Sequence, residues 1–98
     1  MQPSIRHLRM FQTLAETHSV TRTAEQCHVS QPAVTQAMGK LERDSGQALF
    51  QRSPQGVFLT HAGQVMARRT NRALAFLDAA MSDMSRSIRL NATRPQLA

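Results

Sequence analysis

The sequence contains neither tryptophan nor tyrosine and has only four phenylalanines. Proteins that hold single-stranded nucleic acid stack its bases on aromatic side chains, so this composition disfavours that class of protein. The single cysteine, Cys27, excludes an internal disulfide and is typical of a reducing compartment. No apolar run approaches the ~20 residues of a membrane span. Charged residues also interrupt the N-terminal stretch that a signal peptide would need to be apolar. We therefore expect a cytoplasmic protein with no membrane partner.

Acidic residues are scarce as well. The 98 residues include twelve Lys and Arg against six Asp and Glu, which gives a formal net charge of +6. A small domain with this excess of positive charge is expected to meet a polyanion. Eleven of the twelve cations are Arg, whose planar guanidinium can donate two parallel hydrogen bonds to a phosphate or to guanine. A solvated surface without a partner can have the same composition, so charge alone leaves both interpretations open.

Residues suited to catalysis or metal binding lack the spacing that either needs. The four histidines, the six carboxylates and Cys27 are scattered along the chain, and no histidine pair stands four positions apart. The sequence has no glycine-rich phosphate loop. Cys27 fits a small buried side chain, and His28 fits a structural residue of a turn. We expect no enzymatic activity, no metal and no cofactor.

Two helices are predicted at the start of the chain. In residues 4–18, apolar side chains recur three and four positions apart behind the cap Ser4. A shorter helix over residues 19–29 is predicted to be capped by Thr21. With Arg22 and Thr23, Thr21 places donors at a helix N-terminus, where a phosphate would bind.

A third helix is predicted between Ser30, a favourable N-cap, and Gly46, a favourable C-cap. Pro32 fits its first turn, where a missing N–H costs nothing. Its apolar stripe consists of Val34, Ala37, Met38 and Leu41, and its polar face of Gln31, Thr35, Gln36, Gly39, Lys40 and Arg43. Amides, a hydroxyl and cations on one face are suited to reading base edges. Gly39 costs about 1 kcal/mol in mid-helix. It indicates either close approach of the backbone to DNA or neutral drift.

A β-hairpin is predicted after this helix. Two short apolar segments, 48–52 and 56–60, flank the turn-forming residues Ser53, Pro54 and Gln55. A hairpin that follows a helix-turn-helix is a wing. Arg52 lies beside its tip, where an Arg can enter the minor groove or can simply be solvated.

From Thr60 onwards the sequence predicts one long helix. A helix of ~30 residues spans ~45 Å, too long for a sixty-residue head to cover alone. Its apolar seam therefore requires a partner, as in a coiled coil. Arg68, Arg69 and Arg72 could meet phosphates, pair with Asp78 or Asp83 of a second chain, or be solvated, and solvation is the default interpretation. The seam consists of Met66, Thr70, Ala73, Leu77, Ala80, Met84 and Ile88.

These segments resemble the LysR-type bacterial transcriptional regulators over roughly residues 5 to 88. The matching segments are Leu8-Arg9-x-Phe11, Ala24-Glu25-x-Cys27-His28-Val29-Ser30-Gln31-Pro32-Ala33-Val34, Lys40-Leu41-Glu42, Gly46-x-x-Leu49-Phe50-x-Arg52 and Leu59-Thr60-x-Ala62-Gly63. The resemblance implies a mainly α fold: three helices and a two-stranded wing (1–60), a linker helix for homodimerisation (61–90) and a flexible tail (91–98). The linker helices of two subunits would pair antiparallel.

The resemblance also implies roles for individual residues. Gln31, Thr35 and Gln36 would face the major groove from the recognition helix. Thr21, Thr23 and Pro32 would lie close to the DNA backbone, and Arg52 would approach the minor groove. Lys40 is also expected to contact DNA. The family often has Ser-Arg at positions 35–36 and a cation at position 39. Base preference therefore does not transfer to this chain.

The leading functional hypothesis is a dimeric, sequence-specific regulator of transcription that binds a pseudo-palindromic site on double-stranded DNA. It would act in the bacterial cytoplasm, at the nucleoid. In the family an effector-binding domain normally follows the linker helix. We expect that domain to be absent from this chain, and binding of a small-molecule effector would require it. The alternative hypothesis is a helical protein-interaction module whose basic face is incidental.

Overall fold

A computed structural model of the protein describes the backbone of residues 4–93 and the side chains of residues 4–88. The elements in chain order are α1 (Ile5–Thr17), α2 (Val20–Cys27), α3 (Gln31–Ser45), β1 (Phe50–Ser53), β2 (Gly56–Leu59) and α4 (His61–Thr93). The two strands are antiparallel, with Phe50 opposite Leu59 and Arg52 opposite Val57. This architecture confirms the predicted fold class, a mainly α winged helix-turn-helix followed by a long helix. Compared with the predicted segments 48–52 and 56–60, β1 begins two residues later and ends one residue later, and β2 ends one residue earlier.

Short polar side chains begin the first three helices. The hydroxyls of Ser4 and Ser30 accept the N–H groups of His7 and Ala33, as the sequence predicted. The predicted cap of α2, Thr21, is wrong. Ser19 has the extended backbone of a cap, and its hydroxyl accepts the Arg22 N–H, so Thr21 lies inside the first turn of the helix.

The core lies where α1, α2 and α3 meet the hairpin and the first turns of α4. Phe11 is fully buried and meets the ring of Phe50 edge-on, with ring centroids 5.3 Å apart. Such aromatic pairs stabilise a fold beyond the area that they bury. The other buried apolar residues of this cluster are Met10, Leu14, Ala24, Val34, Ala37, Met38, Leu41 and Leu49.

Helix α4 divides into a half that packs against the rest of the chain and a half that extends away from it. Thr70 and Leu74 are buried, and the guanidinium of Arg9 lies 2.8 Å from the carboxylate of Asp78. Further along, Met84 and Ile88 are exposed. The molecule consequently measures 62 × 25 × 21 Å.

Two interpretations of the end of the chain can be compared with the structure. Asp78 and Asp83 of a second chain are one of three possible kinds of partner for the α4 arginines, and within the chain these carboxylates pair with Arg9 and Arg86. The expected flexible tail, 91–98, is helical over 91–93, and its remaining residues lie outside the described part of the chain.

The beginning of α4 is packed too closely for any side chain at Gly63. A Cβ at this position would lie 2.1 Å from the carbonyl oxygen of Leu49, which also accepts the Thr60 N–H at 3.0 Å. The hydroxyl of Thr60 accepts the Gly63 N–H and donates to the Ala48 carbonyl. The chain therefore enters α4 along a fixed path.

We expect Gly63→Ala to lower the free energy of unfolding by about 1–3 kcal/mol, because the added methyl group must displace an anchored carbonyl. The matched variant is Gly39→Ala, where the nearest side-chain atom to a new Cβ lies 3.4 Å away. That variant should be more stable than the parent by up to about 1 kcal/mol, since Ala favours a helix over Gly. Urea unfolding followed by circular dichroism measures both changes. Equal midpoints for the two variants would contradict the assigned packing.

Candidate nucleic-acid interface

Helix α3 presents a polar face to solvent. Its apolar stripe lies in the core, which leaves the other face free to contact a partner. Of the predicted site residues, the exposed face carries Gln31, Pro32, Thr35, Gln36 and Lys40. Both glutamine amides offer a donor pair and an acceptor, the combination that can pair with a base edge.

The N-terminus of α2 offers fewer contacts than the sequence predicted. Thr21 and Arg22 are exposed, as residues that contact the DNA backbone must be. Thr23 is fully buried, and its hydroxyl lies 3.0 Å from that of Thr17 on α1. The predicted DNA contact of the Thr23 side chain is therefore wrong, because that side chain joins α1 to α2 inside the fold.

The wing lies beside α3. Arg52 is exposed on β1, directly before the turn formed by Ser53, Pro54, Gln55 and Gly56. A cleft of about 180 Å³ separates the hairpin from α3, with Thr35 and Gly39 on the helix side and Arg52 and Val57 on the wing side. One partner surface could therefore contact α3 and Arg52 at once.

Glu42 fixes the beginning of the wing to α3. Its carboxylate accepts the backbone N–H groups of Leu49, at 2.8 Å, and of Phe50, at 3.3 Å. Hydrogen bonds to an ionised acceptor are stronger than those between neutral groups. The strand that carries Arg52 is therefore attached to the same helix that carries Gln36.

His18 fixes the other strand to the corner between α1 and α2. Its carbonyl accepts the Val57 N–H at 3.0 Å, and its ring Nδ1 lies 3.1 Å from the Val57 carbonyl oxygen. The ring also stacks on Phe58, with centroids 4.6 Å apart. The wing is thus held at both strands.

The close approach of β2 to His18 requires glycine at position 56. Gly56 has a φ of 133°, and a Cβ there would lie 2.7 Å from the His18 carbonyl oxygen. His18 itself adopts the left-handed conformation as the C-cap of α1. The sequence gives little signal for these contacts. A glycine after a turn can be recognised, but Glu42 and His18 bind backbone groups of residues that lie 7 to 39 positions away.

A second groove, of about 500 Å³, lies between α1 and the polar face of α3. It is lined by Arg6 of α1 and by Gln36, Lys40 and Arg43 of α3. The Lys40 ammonium lies 3.1 Å from the Asp44 carboxylate, which offsets one of the three positive charges. The groove therefore keeps a positive balance beside the polar face of α3.

Other kinds of site find little support in the described residues. No group of three His, Cys, Asp or Glu side chains there could hold a metal ion. His28 ends α2 in the left-handed conformation, and Cys27 packs beside the core. No helix in this part of the chain is long and apolar enough to cross a membrane.

Known structures include a close match to this arrangement. The complex of the CbnR DNA-binding domain with DNA superposes with a TM-score of 0.76 at 36% sequence identity, over 88% of this chain and 98% of that one. CbnR is itself described as a LysR family transcriptional regulator.

Sequence comparison points to the same family. A RuBisCO operon transcriptional regulator from Allochromatium vinosum is 45% identical over 64 residues, which cover 65% of this chain and 21% of that protein. The HTH-type transcriptional regulator TfdT from Cupriavidus pinatubonensis is 40% identical over 73 residues, which cover 74% and 32%. The matches thus span about a fifth to a third of these relatives. The family model for bacterial regulatory helix-turn-helix proteins of the lysR family matches residues 5–64. Since that match covers more than half of the 98 residues, the chain belongs to the lysR family.

Proposed function

We propose that this chain binds double-stranded DNA sequence-specifically as part of a transcriptional regulator. The observation that carries the proposal is the joint placement of the α3 polar face and Arg52 on either side of one cleft. A helix of this width fits the major groove, and an Arg-bearing wing fits the adjacent minor groove. The similar CbnR DNA-binding domain has been crystallised with DNA, which supports DNA as the partner.

Base readout is assigned to Gln31, Thr35 and Gln36. Recognition helices place their N-terminal residues against base edges, and these three lie in the first six residues of α3. A glutamine amide pairs in bidentate fashion with adenine. Positioning on the duplex is assigned to three exposed residues. Thr21 and Pro32 lie in the first turns of α2 and α3, and Lys40 lies further along α3.

The functional unit is proposed to be a homodimer joined through α4. Beyond its contact with α1, this helix exposes Met81, Met84 and Ile88. A 33-residue helix is about 50 Å long, and the apolar side chains of its second half have no cover within the described part of the chain. Two copies would place two α3 helices on half-sites with centres about 34–36 Å apart. A pseudo-palindromic site follows from that symmetry.

Several finer inferences belong to the same proposal. A DNA-binding role places the protein in the bacterial cytoplasm, in contact with the nucleoid. The relatives are transcriptional regulators, which supports a protein without enzymatic activity or a cofactor. Residues 1–60 would then form the DNA-binding domain and residues 61–90 the linker that joins two subunits.

The first prediction concerns base readout. We expect Gln36→Ala to relax base preference at one position in each half-site, because the lost amide is replaced by a group that cannot hydrogen-bond to a base. In vitro selection of bound duplexes measures the preference. Gln64→Ala, a change of the same residue type at an exposed site on α4, is the control. An unchanged preference profile for the α3 variant would reject the assignment of Gln36.

The second prediction concerns the wing. We expect Arg52→Ala to weaken binding to every duplex and to reduce the slope of log K against log salt by about 0.9, since one phosphate neutralisation is lost. The measurement is a salt titration by fluorescence anisotropy, with Arg86→Ala, in the half of α4 that extends away from the rest of the chain, as the control. If both variants keep the parent's slope, the wing has no contact with the duplex.

The third prediction concerns the dimer. We expect Met84→Glu to shift the protein from dimer to monomer, because a charge on the seam must be desolvated when two helices meet. Ala79→Glu is the matched control, since residue 79 lies about 140° around the helix from residue 84. Sedimentation equilibrium gives the mass of each variant. A dimer that survives Met84→Glu would rule out this face of α4.

A further inference from the structure

The recognition face of α3 has a gap at Gly39 that a neighbouring side chain occupies. A Cβ at this position would lie 3.4 Å from Nη1 of Arg43, one turn further along the helix. The guanidinium of Arg43 therefore folds back over Gly39. A longer side chain at position 39 would take the space that the guanidinium now fills.

The charge of Arg43 is available to an external partner. Each of the two neighbouring carboxylates is already engaged: Glu42 accepts the Leu49 and Phe50 N–H groups, and Asp44 lies 3.1 Å from the Lys40 ammonium. Arg43 is exposed and has no ion pair within the described part of the chain. Its five N–H donors remain free to bind an anion.

The position of Arg43 favours a phosphate as that anion. It lies seven residues, or about two turns, beyond Gln36, so both residues lie along one line of the helix surface. Base edges are contacted from the N-terminal part of a recognition helix, whereas Arg43 lies in the last turn of α3. Arg6 of α1 lines the same groove and adds a second cation. Arg43 and Arg6 therefore suit the phosphates of the DNA strand that borders the major groove.

We propose that Arg43, seated over Gly39, is a further DNA-contacting residue that binds a backbone phosphate on the side of α3 away from the wing. Gly39 serves this contact by leaving room for the guanidinium. The inference rests on the proposed function, because it needs a duplex lying across α3. It extends the interface to a second side of the recognition helix and accounts for the glycine in mid-helix.

A simpler role for Arg43 is to stabilise the C-terminal end of α3, where a cation interacts favourably with the helix dipole. That role predicts a change in stability and no change in DNA binding. It also gives Gly39 no function. Binding and unfolding measured on the same variants separate the two roles.

The experiment is a double-mutant cycle on duplex binding with the single variants Gly39→Leu and Arg43→Gln and their combination. We expect each single variant to weaken binding about tenfold, the effect of losing one charge-assisted hydrogen bond. Gly39→Leu should have little further effect once Arg43 has been replaced, because its cost lies in displacing the guanidinium. If the losses in binding free energy are fully additive, the side chain at position 39 contacts the DNA directly. That result would overturn the proposed role of Gly39 in making room for the Arg43 guanidinium.

Further variants identify the anion. Arg43→Gln should reduce the slope of log K against log salt by about 0.9, while Arg43→Lys retains the charge and the slope. Arg86→Gln, in the extending half of α4, is the control. A parent-like affinity and slope for Arg43→Gln would overturn the proposal, and so would a changed base preference, which would indicate contact with guanine. If the parent protein binds no duplex, the proposed function itself is rejected. If the parent binds normally and Arg43→Gln binds equally well, only this inference is rejected.

Discussion

The carboxylate of Glu42 couples the recognition helix to the wing. It accepts two consecutive backbone N–H groups, those of Leu49 and Phe50, at the point where the chain enters β1. Leu49 is buried and Phe50 is half-buried, so both N–H groups would otherwise need another acceptor away from water. Because the carboxylate belongs to α3, the strand that bears Arg52 is held at a fixed distance from Gln36. The geometry of the whole interface depends on that link.

Two close backbone approaches complete the frame. Gly56 lets β2 reach the carbonyl of His18, and Gly63 lets α4 start against the carbonyl of Leu49. Together with Glu42, they fix the hairpin to α3, to the α1–α2 corner and to α4. A surface held in this way loses little conformational entropy when it binds a rigid partner. The exposed polar residues can therefore differ between related chains without a change in the frame that presents them.

The charges of the surface are distributed unevenly around α3. Arg52 lies on the wing side and Arg6 and Arg43 on the other, while the middle of the face carries amides and a hydroxyl. Such a division separates positioning on phosphates from readout of bases. The acidic residues of α3 are used internally, so they do not oppose a polyanion. Helix α4 is organised differently, since its first half belongs to the core and its second half exposes an apolar stripe.

The sequence by itself determined the helices, most of their caps, the hairpin and the outward face of α3, because periodicity and capping depend on residues only a few positions apart. Only the tertiary structure decided which polar groups are buried or paired. Thr23 has a position in the sequence that predicts an exposed hydrogen-bond donor. In the structure it is buried, and its hydroxyl contacts that of Thr17. Asp78 is one possible partner for a cation of a second chain, yet it pairs with Arg9 of its own chain, 69 positions away. Contacts at such separations depend on how the elements pack together, and no local pattern encodes that packing.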